Sequence, residues 1–534
     1  MALLVLSANA EQKRLPSKNS VSPALRNSDR KLTSRQELGL QLLKTVESES
    51  AGLQMDMRAF VQWQSARAYS NFDHSKADNL RKQAFQTTLS IDNPAENPNC
   101  TNQSFCAKAW LQESILLDII KKSAPEAETL LPTAEGSIRD NIVAQLVNYY
   151  VGKRDFTRAQ DLLLHVSNDK DYPFRAAAQL IKSLGKGRSA DRLAVFTQAL
   201  NNFKNYGSTD TIFSADFGSL IAAVWDLLPP DAVLEAIDEL LNEAKSHTGT
   251  ADVQVSLSAK GDSVTLNSMY QLRLFQLLPI LQELDASRAQ SLLRDNEVAR
   301  VNLQRFPKGV AAVDSMRFLP ADSVSGKPEI NDELEARIRN QAEQVIESAE
   351  KDPKQALNDA VTLPISAGCY GFRCARVLAL EGIARKTLRK HPTIAKSALD
   401  ELLKLTDQLS LHQDSYLADV PQLYLTIGDE QGARSAIKSL SKIAEKVYAA
   451  DNDPDNPNLA FKGTWPSSRL WRSCVEAADK ISPELVHEII SGIPDEDIAV
   501  FQKITYANSL LGAPAFPMAW AEYHKHTSSP MDVP

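Results

Sequence analysis

The chain has 534 residues, 43% of them hydrophobic and 24% charged, with a formal net charge of −8. That balance belongs to a folded globular chain and excludes wholesale disorder. The basic runs, Lys13-Arg14 and Lys386 to Lys390, are too short to form the clustered cationic footprint that replaces phosphate counterions, so nucleic acid is excluded as a partner class.

Met1 to Ala10 reads MALLVLSANA. A short apolar run is followed by Ala8-Asn9-Ala10, the small-x-small pattern ahead of a signal-peptidase cut, with Glu11 as the new N-terminus. The run is shorter than a full signal core and no basic stretch precedes it. Residues 1–10 are therefore expected to be part of a longer secretory signal, with a flexible apolar N-terminus as the alternative. Residues 11–32 are polar, with Pro16, Pro23 and several serines, and predict a flexible leader. No later segment offers the ~20 apolar residues of a membrane span. The expected location is periplasmic or secreted.

From residue 33 the pattern is helical. Only 20 glycines occur, and long stretches lack Gly, Pro and β-branched clusters. Trp110/Leu111, Ile115 and Ile119 recur at three to four residues, as do Ile138, Ile142, Leu146 and Tyr149/Tyr150, then Leu162, Leu163 and Val166. Such stripes bury one helix face. Ser34 to Glu37 and Ser123 to Glu126 fit capping boxes. Asp352-Pro353 and Ser482-Pro483 set a cap before a first-turn proline.

A recurring unit joins these helices. Asp73 and Ala77, Asp155 and Ala159, Asp285 and Ala289, Asp352 and Ala356, and Asp429 and Ala433 share one spacing. The Asp is expected to cap the second helix of a pair, and the Ala one turn on lets the first helix approach closely. The strings Tyr424 to Ala433 (YLTIGDEQGA) and Tyr150 to Ala159 (YVGKRDFTRA) resemble the tetratricopeptide-like helical repeat superfamily: a helix-A tail, a Gly-Asp-type turn and a helix-B alanine. The first keeps Gly428-Asp429; in the second Gly152 is displaced and Arg154 precedes Asp155. Successive Asp positions stand 82, 130, 67 and 77 residues apart, not multiples of the ~34-residue period. Extra helix pairs or insertions are therefore expected between copies. The resemblance covers about half the chain. It implies an α/α superhelix that binds peptides or proteins, and it transfers no catalytic residue.

Residues 253–266 (VQVSLSAKGDSVTL) alternate apolar and polar about Lys260-Gly261-Asp262 and predict a β-hairpin. It is expected to be an edge flap, with a recognition finger as its functional alternative. Residues 306–330, with Pro307, Gly309, Pro320, Gly326 and Pro328, are expected to link an N-terminal helical region, 33–305, to a C-terminal one, 331–511, which starts at the cap candidate Asn331. Residues 512–534 form a tail.

Cys100 and Cys106 are close in sequence, as are Cys369 and Cys374, and each pair would close a small disulfide in an oxidising compartment. Cys474 is left over as a small buried hydrophobe. Neither pair has the second pair and His partners that specify zinc.

The remaining constellations fall short of known chemistry. His487-Glu488 has Ser491 where a zinc-protease helix needs its second His. His524 and His526 lie in the polar tail. Asp451, Asp453 and Asp455 imitate a calcium loop, but Asn456 replaces the turn glycine and Lys462 the bidentate Glu. Leu184 to Ser189 has phosphate-loop residue types without the frame. Phe461, Trp465 and Trp471 form the densest aromatic patch, expected to be core rather than a ligand platform. The sequence thus predicts an all-α, irregular helix-pair solenoid with one β-hairpin insertion. It predicts an exported binding or scaffold protein of the cell envelope with a protein or peptide partner and no cofactor. The alternative is a glycan-acting hydrolase or lyase that uses paired carboxylates on a helical toroid.

Overall fold

A computed structural model describes residues 32–91, 107–166, 172–207, 216–246, 254–259, 262–313, 315–319, 340–363, 375–405, 417–454 and 461–513. Its first part runs α1 (Ser34–Glu49), α2 (Met55–Tyr69), α3 (His74–Leu89), α4 (Ala107–Ile120), α5 (Ala124–Leu130), α6 (Gly136–Gly152), α7 (Phe156–His165), α8 (Phe174–Ser183), α9 (Ser189–Tyr206), α10 (Phe217–Val224) and α11 (Pro230–Ser246). Strands β1 (Gln254–Ala259) and β2 (Asp262–Leu266) follow, then α12 (Met269–Leu284), α13 (Ala286–Asp295), α14 (Glu297–Arg305) and β3 (Ser315–Leu319). Residues 340–348 are helical (α15). After them come α16 (Pro353–Thr362), α17 (Ala375–Thr387), α18 (Pro392–Lys404), α19 (Val420–Thr426), α20 (Glu430–Asp451), α21 (Pro466–Ala478), α22 (Pro483–Ser491) and α23 (Glu496–Leu510). The fold is all-α with one small sheet.

The helix starts follow from side-chain capping. Asp73, Asp155, Asp285, Asp352 and Asp429 each accept a hydrogen bond from the backbone N–H three residues on, those of Lys76, Arg158, Arg288, Gln355 and Gly432. Ala77, Ala159, Ala289, Ala356 and Ala433 are fully buried one turn into those helices. A capped donor is one fewer unsatisfied N–H at the helix start. At α1 the box is set one residue earlier than the sequence suggested. Thr33 is the cap and Gln36 completes the exchange, because Thr33-x-x-Gln36 and Ser34-x-x-Glu37 are overlapping frames of the same motif. Ser123 stands at the cap position of α5 without a side-chain capping bond.

Two turns share one hydrogen-bond pattern. Asp429 N–H donates to the Tyr424 carbonyl and Asp155 N–H to the Tyr150 carbonyl, both at 2.9 Å. The residue before each Asp is left-handed, Gly428 at φ 79° and Arg154 at φ 61°. Each tyrosine hydroxyl also donates to a carboxylate on an earlier helix, Tyr424 to Asp400 at 2.6 Å and Tyr150 to Glu128.

Helices adjacent in sequence pack together, as α2 does on α3, α6 on α7, α17 on α18 and α20 on α21. Alternate helices also meet, α4–α6–α8–α10–α12 in one layer and α7–α9–α11 in the other. The sheet has the order β2-β1-β3 and is antiparallel throughout. The expected hairpin forms, but as two strands of a three-stranded sheet rather than as an edge flap by itself. Its first strand is central, paired to β2 (Val255 with Leu266) and to β3 (Val255 with Phe318). The third strand comes from the stretch expected to be a plain connector. Just before it, Gly309 at φ 57° presses so close to α12 that a Cβ there would collide with the Phe275 carbonyl.

The chain's first and last described helices pack against each other. α23 lies against both α1 and α2. Gly39 makes the approach to α23 possible, since a Cβ there would sit 2.9–3.2 Å from Leu511, Leu510 and the Ala507 carbonyl. Lys503 pairs with Glu49 at 3.0 Å, Arg35 pairs with Asp479, and Asn508 Nδ2 donates to Gln64 Oε1 at 3.0 Å. Phe60 stacks on Phe501 at 5.0 Å and meets Phe461 at 5.1 Å. α23 thereby feeds both hydrophobic cores: Val500, Phe501 and Ile504 enter the first, and Ile498, Tyr506 and Leu510 the second.

Candidate functional site

A groove of about 1030 Å³ runs between α7 and α9. Its position follows from how α9 is held. Phe196, Ala199, Leu200 and Phe203 bury one face of α9 in the core, which leaves Thr197, Asn201 and Asn205 exposed on the other. These three are four residues apart, hence on one helix face. α7 contributes Gln160, Asp161 and Leu164 from the facing wall. Leu164 is 61% exposed, although its neighbours Leu162 and Leu163 on the same helix are buried.

Charge sits at the two ends. Asp191 pairs with Arg188 at 2.5 Å. Lys204 pairs with Glu235 at 2.6 Å and Glu239 at 3.4 Å, both on α11. The hydrogen bond to Glu235 holds the Lys204 ammonium above its ordinary pKa range. In the wall, Gln198 Nε2 is buried and has no hydrogen-bond partner among the described residues. A buried amide donor left unpaired is costly, and such atoms mark places where water or a ligand completes the structure.

A second polar cluster lies at the join of the two cores. Lys462 Nζ donates to Asp495 Oδ2 and Asp497 Oδ2, both at 2.8 Å, and Tyr448 donates to the same Asp495 oxygen at 3.1 Å. Burial lowers the Lys462 pKa, but these carboxylates more than offset it, so the ammonium is held above its ordinary range. Asp495 also caps α23 through Ile498 N–H. Asp56 stands nearby on α2, its carboxyl pushed up by burial and then by the charge of Asp497. Burial likewise raises Glu113 on α4 and Glu476 on α21. None of these three raised carboxyls lines the α7–α9 groove.

The residues singled out from sequence are scattered. The five capping aspartates sit at the starts of α3, α7, α13, α16 and α20. His487 is exposed on α22. Asp451 accepts from both the N–H and the hydroxyl of Ser467, at 3.1 and 2.7 Å, and so supports the start of α21. Among the described residues, no group of three His, Cys, Asp or Glu is arranged to hold a metal ion. Phe461, Trp465 and Trp471 are buried in the cores. The string Leu184 to Ser189 forms the α8–α9 turn, where Arg192 donates back to the Leu184 carbonyl at 3.1 Å. Cys100, Cys106, Cys369, Cys374, His524 and His526 lie outside the described residues, as do segments 1–10 and 11–31, Asn331, and the tail from residue 514. Among the described residues no helix is long and apolar enough to cross a membrane. The groove residues carry no sequence signature, being polar surface positions on two ordinary amphipathic helices. No protein-family model matches the chain, and no curated protein is detectably similar to it.

Proposed function

We propose that this chain is an exported helical-repeat protein of the cell envelope, a superhelix of tetratricopeptide-like helix pairs that holds a protein or peptide partner. The observation that carries this reading is the repeated unit of capping Asp and buried Ala, set in two layers of neighbouring helices with an open groove between α7 and α9. Stacked pairs of this kind present long surfaces whose side chains vary freely while the caps and alanines hold the spacing. The groove's carboxamides, hydroxyl and exposed leucine suit recognition of a partner. The export part rests on the Ala8-Asn9-Ala10 pattern.

The test is affinity capture of the full tagged chain from an envelope extract of the source organism, with mass spectrometry of the native N-terminus in parallel. A reproducible, salt-resistant protein partner and an N-terminus at Glu11 are the expected results. A capture without any partner, combined with turnover of an envelope glycan, would replace this reading with that of a glycan-acting enzyme. A retained Met1 on a cytoplasmic pool would remove the export claim.

A further inference from the structure

We propose that the α7–α9 groove binds an extended, cationic peptide segment by its main chain; this rests on the binding reading above and names the ligand class. Four carboxamides line the groove, Gln160, Gln198, Asn201 and Asn205. A carboxamide offers one acceptor and two donors, the complement of a peptide group, and carries no charge to select a side chain. Their spacing fits the same partner. Thr197, Asn201 and Asn205 succeed one another by four helical residues, a rise of about 6 Å. In an extended chain, peptide groups that face the same edge recur every two residues, about 6.6 Å. The two repeats drift by only about 1.2 Å over three positions, which side-chain torsions absorb.

Leu164, 61% exposed on the opposite wall, gives an apolar contact for an aliphatic side chain or stem. The charges set the sign of the ligand. Of the charges that line the groove, Asp191 is balanced by Arg188, Lys204 is shared by Glu235 and Glu239 of α11, and Asp161 has no ion-pair partner among the described residues. The groove and its rim are therefore net negative and favour Lys or Arg side chains.

The test uses the full chain and fluorescence anisotropy of a labelled octapeptide of alternating alanine and lysine. Its comparators are the same peptide with every amide N-methylated, and an alternating alanine and glutamate peptide. The expected result is saturable binding of the lysine peptide, weakened about tenfold or more by N-methylation and by Asn201→Leu with Asn205→Leu. The glutamate peptide should not bind. Both asparagines are exposed, so the variant should keep the wild-type circular dichroism. Equal binding of the N-methylated peptide overturns main-chain recognition. Equal binding of the glutamate peptide overturns the charge argument. Undiminished binding by the double variant overturns the assignment to this groove. Failure here is distinguishable from failure of the scaffold reading. A captured partner that survives Asn201→Leu with Asn205→Leu leaves the scaffold standing and removes the groove.

Discussion

Asp216 and Arg273 form an ion pair at 2.6 Å with both side chains only 2% exposed. Asp216 also caps α10 through Ser219 N–H at 2.8 Å, and Arg273 on α12 donates to Gln276 Oε1 at 3.0 Å. Gly218 is required beside them, since a Cβ would lie 2.6 Å from Gln276 Oε1 and 2.7 Å from Arg273 Nη1. Asp216→Ala removes the cap, worth about 1 kcal/mol, and takes the carboxylate from a buried guanidinium, worth about 3–5 kcal/mol. The expected loss is about 4–6 kcal/mol in the opening free energy of α10 and α12. Hydrogen exchange of their amides reads that opening locally and does not require the 534-residue chain to unfold in a single step. Asp216→Asn keeps an acceptor for the cap and should lose about 1 kcal/mol less. The double variant Asp216→Ala with Arg273→Met should recover most of the loss, because no charge is then left buried. A loss below about 1 kcal/mol for Asp216→Ala would show that Arg273 does not depend on this partner, and would refute the reasoning.

Three further outcomes are expected. Arg154→Gly should stabilise the α6–α7 turn by about 1 kcal/mol, because Arg154 holds a left-handed φ of 61° where the matching turn has Gly428; an unchanged exchange rate in α7 would contradict this. Asp56→Asn should stabilise the protein near neutral pH. Burial, then the charge of Asp497, raises the Asp56 carboxyl above 3.8, so the native state loses stability as pH rises from 3.8 through that higher value. The gain should vanish in acid below 3.8, where wild-type Asp56 is protonated in both states; denaturant midpoints at the two pH values decide it. Cys474, fully buried, has its thiol pushed up to about 12 by burial. It should resist thiol reagents in the native protein and react once denatured, as peptide mapping would show.

Much of the local structure was legible because it is written in local chemistry. An Asp followed four residues later by a small apolar residue specifies both a cap and a close approach, and residues 155–159 and 429–433 show the two together. The third strand was not legible. Ser315 to Phe318 alternates for only four residues, with Pro320 close behind, too few to outweigh the surrounding breakers. Its pairing with β1 is a non-local choice. The left-handed Arg154 was also hidden, since nothing in the residue type announces a positive φ; only alignment with the Gly428 turn points to it. The groove was invisible for another reason. Thr197, Asn201 and Asn205 are the ordinary polar face of an amphipathic helix until α7 is placed opposite. The neighbours of α23 could not be read at all, because Leu510 and Gly39 meet across almost the whole chain.

That meeting governs how the molecule can be made. On a ribosome α1 and α2 emerge long before their partner α23. Until it arrives, Leu43, Val46 and Phe60, fully buried in the finished protein, have no complete cover. A nascent chain must therefore keep this apolar strip from sticking elsewhere until α23 follows, the interval in which chaperones find their clients. A premature stop anywhere before Glu496 would do more than shorten the chain: it would leave α1 and α2 permanently without the helix that covers them.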